Sequence, residues 1–160
     1  MQISLLVDQP QFIEALAPMI WEHWRPILAL DTLEDRTAKL HTHLNRNALP
    51  MAWVAHYVEH VLGTAALRVN DLPGREDPTP WLGGVFVAPP FRRQGIGAAL
   101  CKTVECKAIE LFHFETLYLF TLDQQAWYGN LGWEIMEPCE WCNRNGHIMK
   151  KSLHDADYLL

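Results

Sequence analysis

The sequence predicts a single domain of the α/β (α+β) class, with about seven strands in a mixed central sheet and about four flanking helices; three observations predict it. A β-branched strand stops at Pro89-Pro90 and reopens as a glycine-led helix. Two apolar runs, 51–57 and 61–69, lie back to back around Glu59-His60, and Asn145-Gly146 stands between two further strand-like segments. At 160 residues and 49% hydrophobic composition the chain suits one domain, residues 1–160, with a substantial core.

The first element is an apolar run from Ile3 to Val7, read as a strand and ended by Asp8-Gln9-Pro10, where proline suits the first position of a helix. Phe12, Ile13, Leu16, Met19, Ile20 and Trp24 then recur at near-helical spacing, and Pro18, lacking an interior N–H, is expected to bend or divide that helix. Thr32-x-x-Asp35 opens a second helix as a capping box, with Leu33, Leu40 and Leu44 on its buried side and Asn45 to Pro50 ending it. The runs 51–57 and 61–69 form the first hairpin of the sheet. Asn70 to Pro80, with three prolines, a glycine and three acids, reads as a surface loop placed to line an entrance. Trp81 to Val87 is the fourth strand, followed by a helix from about Gln94 to Phe112. Asn145-Gly146, a type I′ signal, is expected to join Trp141 to Arg144 with His147 to Leu153 as the last two strands. The tail from His154 is expected to be poorly tied down.

The break after Val87 reads as a phosphate cradle. Gly95 and Gly97 let backbone approach a ligand where a Cβ would intrude. The N–H groups of Arg93, Gln94, Gly95, Ile96, Gly97 and Ala98, at the positive end of the following helix, suit a pyrophosphate without needing a lysine. Spacing narrows the ligand, because neither G-x-x-x-x-G-K-[ST] nor G-x-G-x-x-G is present. What stands here is R-x-x-G-x-G, as Arg92, Gly95 and Gly97, preceded by V-F-V-x-P from Val85 to Pro89.

That pattern resembles the coenzyme A-binding motif of the GNAT superfamily of N-acetyltransferases. The similarity continues through Leu117 to Thr121, Asp123-Gln124-Gln125-Ala126-Trp127-Tyr128 and Leu131-Gly132-Trp133, which look like the family's fifth strand, following helix and terminal segment. In the first half, Trp21-Glu22-His23-Trp24, Leu33 to Arg36, Gly63-Thr64-Ala65, Asp71-Leu72-Pro73 and Pro80-Trp81-Leu82 are similar to a bacterial branch of it. The resemblance implies a GNAT-type, largely antiparallel sheet whose fourth strand splays from the fifth. Backbone around Val85, Phe86 and Val87 would then hold the pantetheine arm of acetyl-CoA and polarise its thioester. It implies residues 1–70 as the acceptor-side half and 81–153 as the coenzyme A-binding and catalytic half. Tyr128 would donate a proton to the departing thiolate, and Arg92 would add charge or sit on the surface. Many members carry an asparagine several residues before this tyrosine; the shorter connection here leaves Gln124 as the candidate replacement. The implied reaction is direct attack of a primary amine, from a small molecule or a protein N-terminus, on the thioester.

A base must take the amine's proton, and the fourth strand holds no acid or histidine. The candidates are Glu22, His23, Asp71, Glu76, Asp77 and His147, with Glu22 first because its segment would border the acceptor. The missing strand acid also keeps open a different class, a non-catalytic acyl-CoA-binding sensor, which retention of Tyr128 opposes. A net charge of -6 and a pI near 5.7 argue against nucleic acid and favour an amine-bearing acceptor. No charged-then-apolar leader and no apolar run near 18 residues stand in the sequence, so a cytoplasmic protein off the membrane is expected, as monomer or homodimer. Cys139-x-x-Cys142 with His147 resembles part of a zinc site, but strand alternation would send the two thiols to opposite faces, and Cys101 and Cys106 are off one helical face. Reduced thiols and no metal are expected.

Overall fold

Strand β2, Met51–Tyr57, is buried on both faces, which is why it reads as a continuous apolar run. Met51, Trp53 and Ala55 pack on one side of the sheet, Ala52 and Val54 on the other. The computed structural model describes residues 1–75, 77–154 and 157–158. In it β2 lies between β1, Gln2–Leu5, and β3, His60–Arg68, with β3 pairing in turn with β4, Trp81–Val87, all antiparallel. Beyond β4 come β5, Thr116–Thr121, then β7, Arg144–Ser152, and β6, Glu134–Trp141, in the order β1-β2-β3-β4-β5-β7-β6. Helices α1, Ile13–Trp24, and α2, Leu33–His41, cover one face through Leu16, Ala17, Ile20 and Leu40. Helix α3, Ile96–Phe112, covers the other through Leu100, Val104 and Ala108, with α4, Gln125–Asn130, beside it. This is the mixed seven-stranded, four-helix architecture that the resemblance implies.

Local chemistry explains the boundaries. The capping box of α2 forms, with Asp35 N–H donating to Thr32 Oγ1 at 3.1 Å and Thr32 N–H to Asp35 Oδ2 at 3.0 Å. The first strand ends at Leu5, two residues earlier than its apolar run, because Leu6 to Asp8 turn inward as a 3₁₀ segment that buries Leu6. Pro18 does not divide α1. It lies on the exposed side with Glu14, whose carbonyl it leaves unbonded, so water can satisfy that group.

The last hairpin differs from expectation. Its turn is Cys142–Asn143, at φ 50 and 59, while Asn145 and Gly146 lie inside β7 opposite Glu140 and Cys139. Gly146 answers to space, not to turning: a Cβ there would stand 2.5 Å from Thr121 O and 2.6 Å from the Phe120 ring. Cys142 therefore sits in the turn rather than on a strand face, and all four cysteines are free thiols. The end of the chain is also better anchored than expected where it is described. Leu153 is buried with its N–H donating to Glu115 O at 2.8 Å, and Tyr158 Oη donates to Glu105 at 2.8 Å. Glu105, 2% exposed, also accepts from Trp133 and Lys151. Among the described residues no helix is long and apolar enough to cross a membrane.

Gly146→Ala should lower stability by about 1–3 kcal/mol through overpacking, while Asn143→Gly should stay within about 0.5 kcal/mol. Denaturant unfolding of both variants checks this; the opposite ranking would return the turn to 145–146.

Candidate active site

Strands β4 and β5 meet only once, in parallel at Trp81 and Tyr118, and then part. From Leu82 onward the β5-facing edge of β4 has no ladder partner, and a cleft of about 1010 Å³ opens there. Val85, Phe86 and Val87 all line it. On its other edge β4 is bulged: Thr64 pairs with Phe86 but Ala66 with Gly83, so β4 carries one extra residue, and Gly84 takes φ +59. The glycine doublet inside an otherwise apolar strand was the sequence signal for this bulge.

The loop after β4 enters α3 through left-handed backbone at Arg93, φ 64, and Gly95, φ 81. Consequently the N–H groups from Arg93 to Ala98 find no acceptor among the described residues; the first to be satisfied is Ala99, donating to Gly95 O at 3.0 Å. No acid stands in the first turn of α3 to neutralise them. A Cβ at Gly95 would meet nothing within 4 Å, so this side of the loop is open. Gly97 lines the cleft too, and its missing Cβ also leaves room for Trp127, whose indole would stand 3.2 Å away, so this glycine is needed for packing against α4 as well. Gln94 is exposed and does not line the cleft. Arg92 curls back, with Nε donating to Val87 O at 2.8 Å and the guanidinium 5.7 Å from the Phe86 ring centre.

Across the cleft, α4 presents Tyr128, 8% exposed, edge-on to Trp127 and Trp133. Burial first, then the neighbouring Cys101 and Asp71, raise its pKa, so the phenol keeps its proton through the neutral range. The Cys101 thiol is pushed up to about 12, chiefly by burial, and is no nucleophile. Gln124 lines the cleft, its N–H held by Thr121 Oγ1 at 2.9 Å.

The candidate bases separate clearly. Glu22 faces away, ion-paired at 3.1 Å with Arg25 on the exposed side of α1, and does not line the cleft. His23, one residue on, does line it, with its ring 5.5 Å from Phe86 and 5.1 Å from Trp24. Burial, then the charge on Arg92, lowers its pKa, which favours the neutral imidazole. Asp71 lines the cleft but accepts from Arg68 Nη1 at 2.7 Å. Asp77 is exposed and His147 lies outside the cleft lining; Glu76 falls outside the described residues.

Several lining groups were not anticipated. Trp24 and Trp141 meet edge-on at 6.0 Å, and Trp141 meets Phe120 at 5.9 Å, forming an aromatic wall between α1 and the β6–β7 hairpin. At the Gly83–Gly84 end, His43 accepts at Nε2 from Arg68 Nε at 2.9 Å while its Nδ1 donates to Lys39 O at 2.8 Å. Protonating Nε2 would set an N–H against the guanidinium; with burial first and Arg68 next, the pKa of His43 is pushed down to about 4.

Residues 14–133 match the model of the "Acetyltransferase (GNAT) family". An aminoglycoside 6'-acetyltransferase of type Ii superposes with a TM-score of 0.75 at 18% identity, covering 96% of this chain and 98% of that one. An aminoglycoside 6'-N-acetyltransferase from Enterococcus faecium gives 0.74 at 17% over 96% and 98%. A spermidine N-acetyltransferase SpeG chimera from Vibrio cholerae and hSSAT gives 0.69 at 12% over 99% and 98%. At these identities the likeness is one of fold. No curated protein matches the chain in sequence.

The His43 arrangement has a pH signature. An unfolded histidine takes up its proton near 6.5 and the folded one near 4, so this contribution is complete above 6.5 and is lost as pH falls toward 4. It amounts to about 3 kcal/mol. His43→Gln should flatten the acid limb of stability between those two pH values in urea titrations; an unchanged slope would remove the buried neutral histidine.

Proposed function

The chain belongs to the GNAT acetyltransferase family, and from that premise we propose that it moves an acetyl group from acetyl-CoA to a primary amine. The observation that carries this reading is the cleft, where the unsatisfied N–H groups of 93–98, the unpaired edge of β4 and a protonated Tyr128 converge. An aminoglycoside 6'-N-acetyltransferase of the same fold has been solved with coenzyme A, at 17% identity and a TM-score of 0.72.

In this reading the N–H groups of Arg93 to Ala98 hold the pyrophosphate, and the free edge of β4 pairs with the pantetheine amides as a missing strand would. Backbone around Val85 to Val87 polarises the thioester carbonyl. The amine nitrogen attacks that carbon, the new C–N bond forms and the C–S bond breaks. His23 takes the proton from nitrogen, and Tyr128 gives its own to the leaving sulfur. A cysteine relay is disfavoured by the Cys101 thiol, which stays protonated. Residues 1–70 shape the acceptor side and 81–153 the cofactor side, all within one domain.

Two experiments test it. Calorimetry should find acetyl-CoA binding weakened at least tenfold in Gly95→Val, where a side chain enters the open side of the loop and strains its left-handed backbone at φ 81; equal affinity would remove the cradle. In steady-state assays of coenzyme A release, Tyr128→Phe should lower kcat about 10²-fold with little change in KM for acetyl-CoA. Wild-type kcat should fall as pH drops through a value below 6.5, where His23 protonates, and His23→Gln should lack that limb. Binding without release of coenzyme A from any amine would favour the sensor.

A further inference from the structure

The acceptor end of the cleft is positively charged, although the chain as a whole carries a net charge of -6. Arg36 is already engaged, donating from Nε and Nη2 to Asp31 Oδ2 at 3.0 and 2.5 Å. Arg68 is clamped between His43 and Asp71, so its guanidinium is fixed in orientation. Its Nη2 makes no hydrogen bond among the described residues and faces Gly84, where a Cβ would come within 2.8 Å of it. Lys39 also lines the cleft and has no ion-pair partner among the described residues. Its side chain is exposed at the mouth of the cleft, and desolvation by its surroundings first and the charge on Arg68 next lower its pKa. With His43 neutral and the Arg36–Asp31 and Arg68–Asp71 pairs cancelling, Lys39 is left uncompensated at this end of the cleft, and Arg144, which lines the cleft beside Trp141, also has no ion-pair partner among the described residues. The Arg68 guanidinium lies against Gly83 and Gly84 in the middle of β4, before the strand end at Val87 from which the 93–98 loop continues.

We propose that the acceptor is a primary amine that also carries a carboxylate, which Lys39 Nζ and Arg68 Nη2 bind while an apolar portion packs against Trp24 and Trp141. This rests on the reading of the cleft as the site of acetyl transfer. A carboxylate offers two oxygens to the two separate donors, Lys39 Nζ and the free Nη2 of Arg68. Polycations such as aminoglycosides and spermidine, named for the proteins of similar fold, would bring ammonium groups to a site that already holds an unpaired one.

The test is calorimetry on the full chain with coenzyme A present, using matched pairs that differ only in the carboxylate: phenylalanine against phenethylamine, and leucine against isoamylamine. Spermidine and phosphoethanolamine complete the panel. In at least one pair the amino acid should bind tenfold or more tightly than its partner. Lys39→Met, which keeps the stem and removes the charge, should abolish that preference, and Lys39→Arg should retain it. The proposal is overturned if neither pair shows the preference, if spermidine or phosphoethanolamine binds more tightly than both amino acids, or if Lys39→Met leaves the preference intact. Because affinities are read directly, failure of acetyl transfer would show separately, as no coenzyme A release from any of these amines.

Discussion

A sheet cannot part in its middle without baring hydrogen-bonding groups, and this one parts between β4 and β5 after a single pairing. Each buried group left unmet costs about 1–3 kcal/mol, so the fold is stable only if that edge stays wet or is met by a ligand backbone. The rest of the molecule holds the two halves at this distance. Helix α3 starts at the end of β4 and delivers the chain to β5, and beneath the gap its Leu100 and Val104 pack in one core with Leu82, Leu117 and Leu119. The cleft is thus a permanent feature of the packing, which pre-forms a site for an extended, amide-bearing ligand.

The same parting explains the polar cluster at the closed end of β4. A bulge there removes two Cβ atoms, and the Arg68 guanidinium occupies the space, since a Cβ on Gly83 would stand 2.8 Å from Nη1 and 2.5 Å from Asp71 Oδ1. An arginine this enclosed needs partners that accept its hydrogen bonds and balance its charge. Asp71 supplies the counter-charge, and His43 is a suitable acceptor only while neutral. Backbone geometry and site electrostatics are therefore one arrangement, and moving the bulge would dismantle both.

Much of this was legible in the residues. β2 and β4 were read within their observed bounds, Met51–Tyr57 and Trp81–Val87, because their apolar runs stop at unambiguous breakers. The capping box and the glycine-led start of α3 were equally plain, being local chemistry. What was hidden depended on tertiary neighbours. Asn145-Gly146 has the composition of a turn, but only the packing of Phe120 shows that Gly146 is small because a strand lies against it. Glu22 and His23 are adjacent in sequence, and one helical step of about 100° decides which faces the cleft. The Lys39, His43 and Arg68 cluster joins α2 to β3 across 25 residues and left no local pattern. The overall acidic charge left the sign of the cleft unread, because a sum over the surface says nothing of a concavity.

The two glycines of the R-x-x-G-x-G pattern, only two residues apart, answer to different masters. A side chain at 95 would meet no protein atom within 4 Å, whereas one at 97 would push against the indole of Trp127, next to Tyr128. Position 95 is held by its own backbone, whose left-handed φ of 81 a side chain would strain, and by whatever occupies the open side of the loop. Position 97 is tied instead to residue 127, so the two would exchange volume as a pair: a larger residue at 97 calls for a smaller one on α4. In a set of relatives, covariation between 97 and 127, with none between 95 and any position in the chain, is the signature such a division leaves behind.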